Sequence, residues 1–364
     1  MDEIPKPKFW ARLRQWISRH RKIVWITTGV LVISLAGLTT FFILSQKPAE
    51  PAPVVHVEPK PEPPPEPVKY YSPLTGNLVA DEAATKQAVT AIMIENSPDA
   101  RPQSGLKESG VVFEAIAEGG ITRFLVIYQQ EKPKLIGPVR SVRMYYVDWL
   151  AAFNASVAHV GGSAASLREV RNGNYRDIDQ FFNSGTYWRA TDRYAPHNVY
   201  TNFKNIDALN DAKGYKTSEF TGFTRIDGEP AETPTAASVD ITISSVLYNS
   251  HYSYDKKTNT YARSQAGAAH LDRESGQIKP SVVIAMRVDE KTVMEDGYRQ
   301  EIKAIGSGKA TIFQNGTATN VTWNKASRTG QITFEDAEGK DVPLVRGQTW
   351  IAAVPNGTGA VSWK

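Results

Sequence analysis

The chain has 364 residues with 41% hydrophobic and 22% charged content, enough for two folded domains plus accessory segments. Its formal charge of +4 is local: seven basic residues between Lys6 and Lys22 face Asp2 and Glu3, a net of +5, so the rest of the chain carries −1 and gives no charge argument for binding nucleic acid. The cysteine count of zero excludes disulfides, thiolate metal sites, a cysteine nucleophile and lipid attachment through cysteine.

Residues 1–22 read as a basic cytoplasmic tail. Ile23–Leu44 has no charge over about 22 residues, enough for a helix to cross a ~30 Å hydrocarbon core. It is longer than the apolar core of a cleaved signal, and Phe41-Phe42-Ile43-Leu44 offers no small-x-small cleavage site. The expected arrangement is therefore a single-pass membrane anchor, with the basic residues inside and the bulk of the chain outside. Residues 45–69 are proline-rich and favour extended polyproline II; at ~3.1 Å per residue such a spacer reaches up to ~75 Å.

An α/β domain is expected over 70–230. Val89–Glu95 reads as a buried strand, and Val111–Ala117 with Ile121–Gln130 as a hairpin around Glu118-Gly119-Gly120, where glycine supplies the positive φ of a tight turn. The first arm is also short enough to be read as a helix. Ser141 is placed to cap a helix over Val142–Phe153. Ser156–Val160 reads as a strand, Ala164–Arg171 and Asn202–Lys213 as helices, the last capped by Thr201 or Asn202 and closed by Gly214. Strands alternating with helices predict a mixed sheet. From 231 to 364 the pattern is short strands and polar turns, which predicts an all-β second domain, with Asn315-Gly316 as the strongest hairpin signal.

The residues that could carry chemistry cluster between Arg101 and Arg143. Arg140 and Arg143 flank the expected helix start, where cations are unfavourable unless an anion joins them. That anion is either external or one of the chain's own carboxylates, Glu95, Glu114 or Glu118. Glu114 and Glu118, four residues apart with Arg123 nearby, could approach each other and raise one pKa, as a general acid needs, or form an ion pair with Arg123. His159 precedes Gly161-Gly162-Ser163, a strand–glycine–helix order that can cradle anions, and is otherwise a satisfied core histidine. His197 lies in a turn near Arg189, Asp192 and Arg193. Ligand-binding candidates are thus Arg101, Arg123, Arg140, Arg143, Gly161, Gly162 and Ser163; catalytic candidates are Glu114, Glu118, His159 and His197. The six scattered histidines lack ligand spacing, so no metal is expected, and no cofactor motif occurs.

Six words in order resemble the YerB-like family of bacterial cell-envelope proteins, a group that includes lipoproteins and has no established biochemical role. They are Pro73-Leu74-Thr75-Gly76, Arg101-Pro102-Gln103-Ser104-Gly105-Leu106, Glu118-Gly119-Gly120-Ile121-Thr122-Arg123-Phe124, Gly137-Pro138-Val139-Arg140-Ser141-Val142-Arg143, His159-Val160-Gly161-Gly162-Ser163 and Ala195-Pro196-His197-Asn198. In the second half Tyr261-Ala262-Arg263, His270-Leu271-Asp272 and Arg346-Gly347-Gln348-Thr349-Trp350-Ile351 are similar too. The resemblance covers the chain from about Tyr70 onward and implies two domains outside the membrane. The lipoprotein members carry an N-terminal cysteine where this chain has an apolar segment. A fainter likeness, in Thr122–Tyr128 followed by Gly137–Arg143, is to the LytR–CpsA–Psr transferases. The expectation is a membrane-anchored envelope protein that binds an anionic component, such as a lipid-linked glycan or wall polymer. The alternatives are an envelope phosphotransferase or hydrolase, and a scaffold for a cell-wall protein in which the motif residues form a structural ion network.

Overall fold

The computed structural model describes residues 8–46, 68–294 and 299–364. The proline-rich spacer expected over 45–69 lies almost entirely outside the described residues. The chain divides into two compact units, residues 1–66 and 67–364.

In the first unit, helix α1 (Lys8–Arg19) precedes helix α2 (Arg21–Ser45). Phe9, Trp10, Leu13, Trp16 and Ile17 recur on α1 at helical spacing and give it an apolar stripe beside Arg12, Arg14 and Arg19. Helix α2 is 25 residues long, about 38 Å at 1.5 Å per residue, and fits a membrane anchor by length and composition.

The second unit is built on one ten-stranded mixed sheet. Its strands in chain order are β1 (Thr90–Glu95), β2 (Val111–Glu118), β3 (Ile121–Tyr128), β4 (Ser156–Ala158), β5 (Arg176–Asp177), β6 (Val282–Val288), β7 (Gly306–Gln314), β8 (Thr317–Lys325), β9 (Thr333–Glu335) and β10 (Thr349–Pro355). Across the sheet the order is β9-β8-β7-β6-β10-β2-β3-β1-β4-β5. Strand β10 lies parallel to both β6 and β2. The sheet therefore runs without a break across the boundary expected at 230/231, and the α/β half and the strand-rich half share its hydrogen bonds.

The central strands read as apolar runs because both faces are covered. Ala91, Met93, Phe113, Leu125 and Ile127 face one core, closed by the aromatic helix α4 (Met144–Leu150) through Tyr145, Tyr146 and Trp149. Ile92, Ile94, Val112, Phe124 and Val126 face the other. That second core is closed by Phe203 and Ile206 of helix α6 (Phe203–Ala212) and by a five-stranded sheet supplying Val239, Ile241, Tyr252 and Tyr261. Two further short helices are α3 (Glu82–Thr85) and α5 (Ala164–Val170).

Most expected elements are present, including the β2–β3 hairpin, whose first arm is strand and not helix. Asn315 and Gly316 take φ 56 and 78, the paired positive values of a tight hairpin turn. One element differs. The helix expected from Val142 begins at Met144, with Arg143 in the cap position and no side-chain cap bond; a 3₁₀ turn, Ala151–Phe153, follows it. Ser141 and Val142 have other work: Val142 N–H donates to Gly161 O at 3.0 Å, and the Ser141 carbonyl accepts from Arg123 at 2.8 Å. Val142 is held extended in a parallel bridge with Gly162, and Arg143 keeps extended φ −127 and ψ 158, so the helical turn cannot start before Met144.

Candidate functional site

The hairpin turn sets the first cluster. Gly119 and Gly120 turn with positive φ, and a β-bulge between Ile116 and Glu118 shifts the register so that Glu118 sits opposite Ile121. Cross-strand partners share a face, and Ile121 shares its face with Arg123 two residues on. The bulge therefore brings Glu118 to Arg123, which donates to its Oε1 at 2.9 Å. Arg143, at the start of α4, donates to the other oxygen and to its neighbour's carbonyl, Val142 O, at 2.8 Å. Arg123 and Arg143 are only 2% and 4% exposed.

Two buried guanidiniums thus share one carboxylate. Burial alone would raise the Glu118 pKa; Arg123 and Arg143 outweigh it and hold it at about 2, against the ordinary 4.5. Arg143 is pushed below its usual value by burial first and then by Arg123. The Nε atoms of Arg123 and Arg143 are buried and carry no hydrogen bond.

The paired-carboxylate arrangement considered for Glu114 and Glu118 does not form. Glu114 lies on the opposite face of β2, fully buried, and accepts from Arg263 at 2.8 Å, Trp350 Nε1 at 3.0 Å and Thr122 Oγ at 3.2 Å. Arg263 lies over the Trp350 ring and donates to Tyr252 at 3.1 Å and to Gln265 at 2.8 Å. It also meets His270, whose other nitrogen reaches Gln103 Oε1 at 3.0 Å. Burial, and then Arg263, push the His270 pKa well down, so this ring is neutral. This network ties the five-stranded sheet, which carries Arg263, to Glu114 and Trp350 on adjacent strands of the ten-stranded sheet. It is the residue set that sequence reading passed over: Arg263 and His270 fall in short polar words that look like strand and turn.

Arg140 and His197 converge on Glu95, which ends β1 and is buried. Arg140 Nε lies 3.2 Å and His197 Nδ1 3.0 Å from Glu95 Oε1, and Ser97 donates to the same oxygen at 3.0 Å. The second Glu95 oxygen is buried without a hydrogen bond. Ser97 Oγ is also 3.1 Å from His197 Nδ1, and Asp99 stands 3.9 Å from the far side of the ring. Glu95 was visible in sequence as a charge ending an apolar run, but only as a candidate partner for arginine. Arg101 stands apart from Arg140: it donates to Asn96 O at 2.9 Å and Leu247 O at 2.8 Å and lies over Tyr248. Burial lowers its pKa.

His159 is fully buried, 2.7 Å from Gly161 O and 3.0 Å from Asp177. The Gly161 N–H donates to Asp179 at 3.2 Å, and Arg171 donates to the same carboxylate at 2.6 Å. Ser163 N–H goes to Val142 O at 3.3 Å, while its hydroxyl caps α5 by accepting from Ser166 N–H. An internal carboxylate, Asp179, thus stands where the glycine motif was expected to hold an outside anion at Gly161.

Comparison with known proteins places the chain in a family. Residues 74–216 match the protein of unknown function (DUF3048) N-terminal domain, and residues 239–351 match its C-terminal domain. The chain is 34% identical over 293 residues to "Putative lipoprotein YerB" of Bacillus subtilis (strain 168), covering 79% of this chain and 87% of that protein. The crystal structure of YerB from Bacillus subtilis superposes with a TM-score of 0.72 at 32% identity, covering 81% of this chain and all of that one. The Arg123, Arg140 and Arg143 clusters fall within the N-terminal domain match, and Arg263 and Trp350 within the C-terminal one. The chain is a member of the DUF3048 family and shares the YerB fold.

Proposed function

We propose that this chain is a membrane-tethered protein of the bacterial cell envelope whose family domain lies outside the membrane and binds an anionic envelope component. Helix α2 serves as the anchor; the basic residues that precede it favour a cytoplasmic N-terminus. The kinship with a protein named as a lipoprotein supports placement at the envelope.

The observation that carries the binding reading is the charge imbalance at Glu118. Two buried guanidiniums meet one carboxylate, and a buried cation is costly unless it is paired. A phosphate or carboxylate beside Arg143 would balance the cluster. Arg140 is a poorer candidate: it is the one arginine on Glu95 among the described residues, so that pair is balanced one-to-one in arginine and carboxylate.

A thermal titration with inorganic pyrophosphate tests this. Wild-type protein should gain stability as RT ln(1 + [L]/Kd), and Arg143→Ala should not. Without ligand, Arg143→Ala should lose little, because it leaves Glu118 paired one-to-one with Arg123. A large loss in every buffer, with no pyrophosphate response in wild type over millimolar concentrations, would instead favour a partner-binding scaffold whose motif residues hold the fold. The internal acceptors Asp179 and Glu95 are the observations on that side.

A further inference from the structure

A cavity of about 390 Å³ opens beside Arg143, between α4, α5 and the strand Arg299–Ile302. That volume lies in the usual range for small-molecule sites of about 300–1,000 Å³. Its wall is of two kinds. Met144, Val293, Ile302 and Ile305 are apolar, while Arg143, Arg299 and Lys303 are cationic. Two acids also line it, Asp148 accepting from Arg328 at 2.7 Å and Glu301 pairing with Lys291 at 3.3 Å, and Arg299 is engaged as well, so Arg143 is the cation on which the site turns. Arg143 is the buried cation of the wall, its Nε lacks a hydrogen bond, and it shares the single carboxylate of Glu118 with Arg123.

A cation-rich cavity with a substantial apolar wall matches a ligand that has both an anionic head and an apolar body. A bare inorganic anion would leave the apolar wall wet; a neutral apolar molecule would leave the Arg143 cluster unbalanced. We infer that this cavity binds an amphipathic anion, a phosphate or carboxylate head at Arg143 carried on an apolar body. This inference rests on the anion-binding reading above and adds to it the place and the chemical class of the ligand.

The test uses the full chain in nanodiscs of neutral phosphatidylcholine, with hexyl phosphate, inorganic phosphate and hexanol as probes and thermal stability as the readout. Hexyl phosphate should stabilise the wild type at a concentration at least about tenfold below that needed for inorganic phosphate, the gain expected from burying as few as about two methylene groups. Ala165→Phe, which fills the cavity, and Ile305→Glu, which puts a carboxylate in its apolar wall, should each remove that advantage. Two variants guard against one that merely misfolds, and each is compared with its own melting point without ligand. Equal potency of the two phosphates, lost together in Arg143→Ala, would overturn the amphipathic ligand while leaving anion binding intact. Hexanol matching hexyl phosphate would overturn the anionic head. An advantage that survives in both cavity variants would place the ligand elsewhere and overturn the site. No response to either phosphate would overturn both the cavity and the anion-binding reading.

Discussion

Glu118 shows how unequal the members of one ion cluster are. Removing its charge strands two buried guanidiniums, whereas removing Arg143 leaves a matched pair. Glu118→Gln should therefore cost about 3–5 kcal/mol in urea unfolding, well above Arg143→Ala. The pH dependence has a definite sign. The carboxyl is depressed from 4.5 to about 2 in the folded state, so its stabilisation is complete above about pH 4.5 and is lost as pH falls toward 2. Allowing for its partial exposure, the term is on the order of 2–3 kcal/mol. The stability difference between wild type and Glu118→Gln should shrink across that window; a difference independent of pH would mean that packing, and not charge, is what the substitution removes. Glu114 and Arg263 form the second buried pair. Glu114→Gln should also cost about 3–5 kcal/mol, and adding Arg263→Met to it should restore part of the loss, since the stranded cation is then gone.

At the scale of elements, local chemistry and tertiary demand separate cleanly at two helix starts. Asn202 caps α6 by accepting from Asn205 N–H at 2.8 Å, as its residue type predicts. Asn202→Ala should cost about 0.5–2 kcal/mol, read as a lower melting temperature without change in fold. Ser141 has the same aptitude for capping but does not use it, because Arg123 takes its carbonyl and Gly161 holds the next residue, Val142, in an extended bond. Ser141→Ala should accordingly leave stability nearly unchanged; a loss comparable to that of Asn202→Ala would show that its side chain matters in a way its backbone contacts do not reveal. The bulge before Gly119 belongs to this scale as well, since one extra residue decides which face Glu118 takes.

For the whole molecule, the order of strands matters more than the order of residues. Strand β10, near the C-terminus, lies between β6 and β2 and completes the parallel centre of the sheet. A chain ending at residue 230 would expose the β2 edge and half of the second core. It should fail to show a cooperative unfolding transition, even though the N-terminal family match ends well before that point. A fully cooperative fragment would show that the shared sheet is a docking contact between independent domains. On the membrane reading, protease added outside intact cells should digest the chain beyond Lys69 and spare the basic tail.

The sequence by itself determined most of the elements and, apart from Arg263 and His270, the charged residues of the buried clusters. Apolar runs, Gly-Gly and Asn-Gly turns and a charge-free 22-residue stretch each act over a few neighbouring residues, so strands, hairpins and the long apolar helix are legible from order alone. The arginine and glutamate words were legible too, and with them the choice between an internal and an external carboxylate. Only the tertiary structure decided which carboxylate met which arginine: Glu118 for Arg123 and Arg143, Glu95 for Arg140, Glu114 for Arg263. Those partners lie up to 149 positions apart in the chain. Their meeting depends on a bulge that turns a side chain over and on a late strand inserted beside an early one, and neither leaves a periodic trace in the sequence that would reveal it.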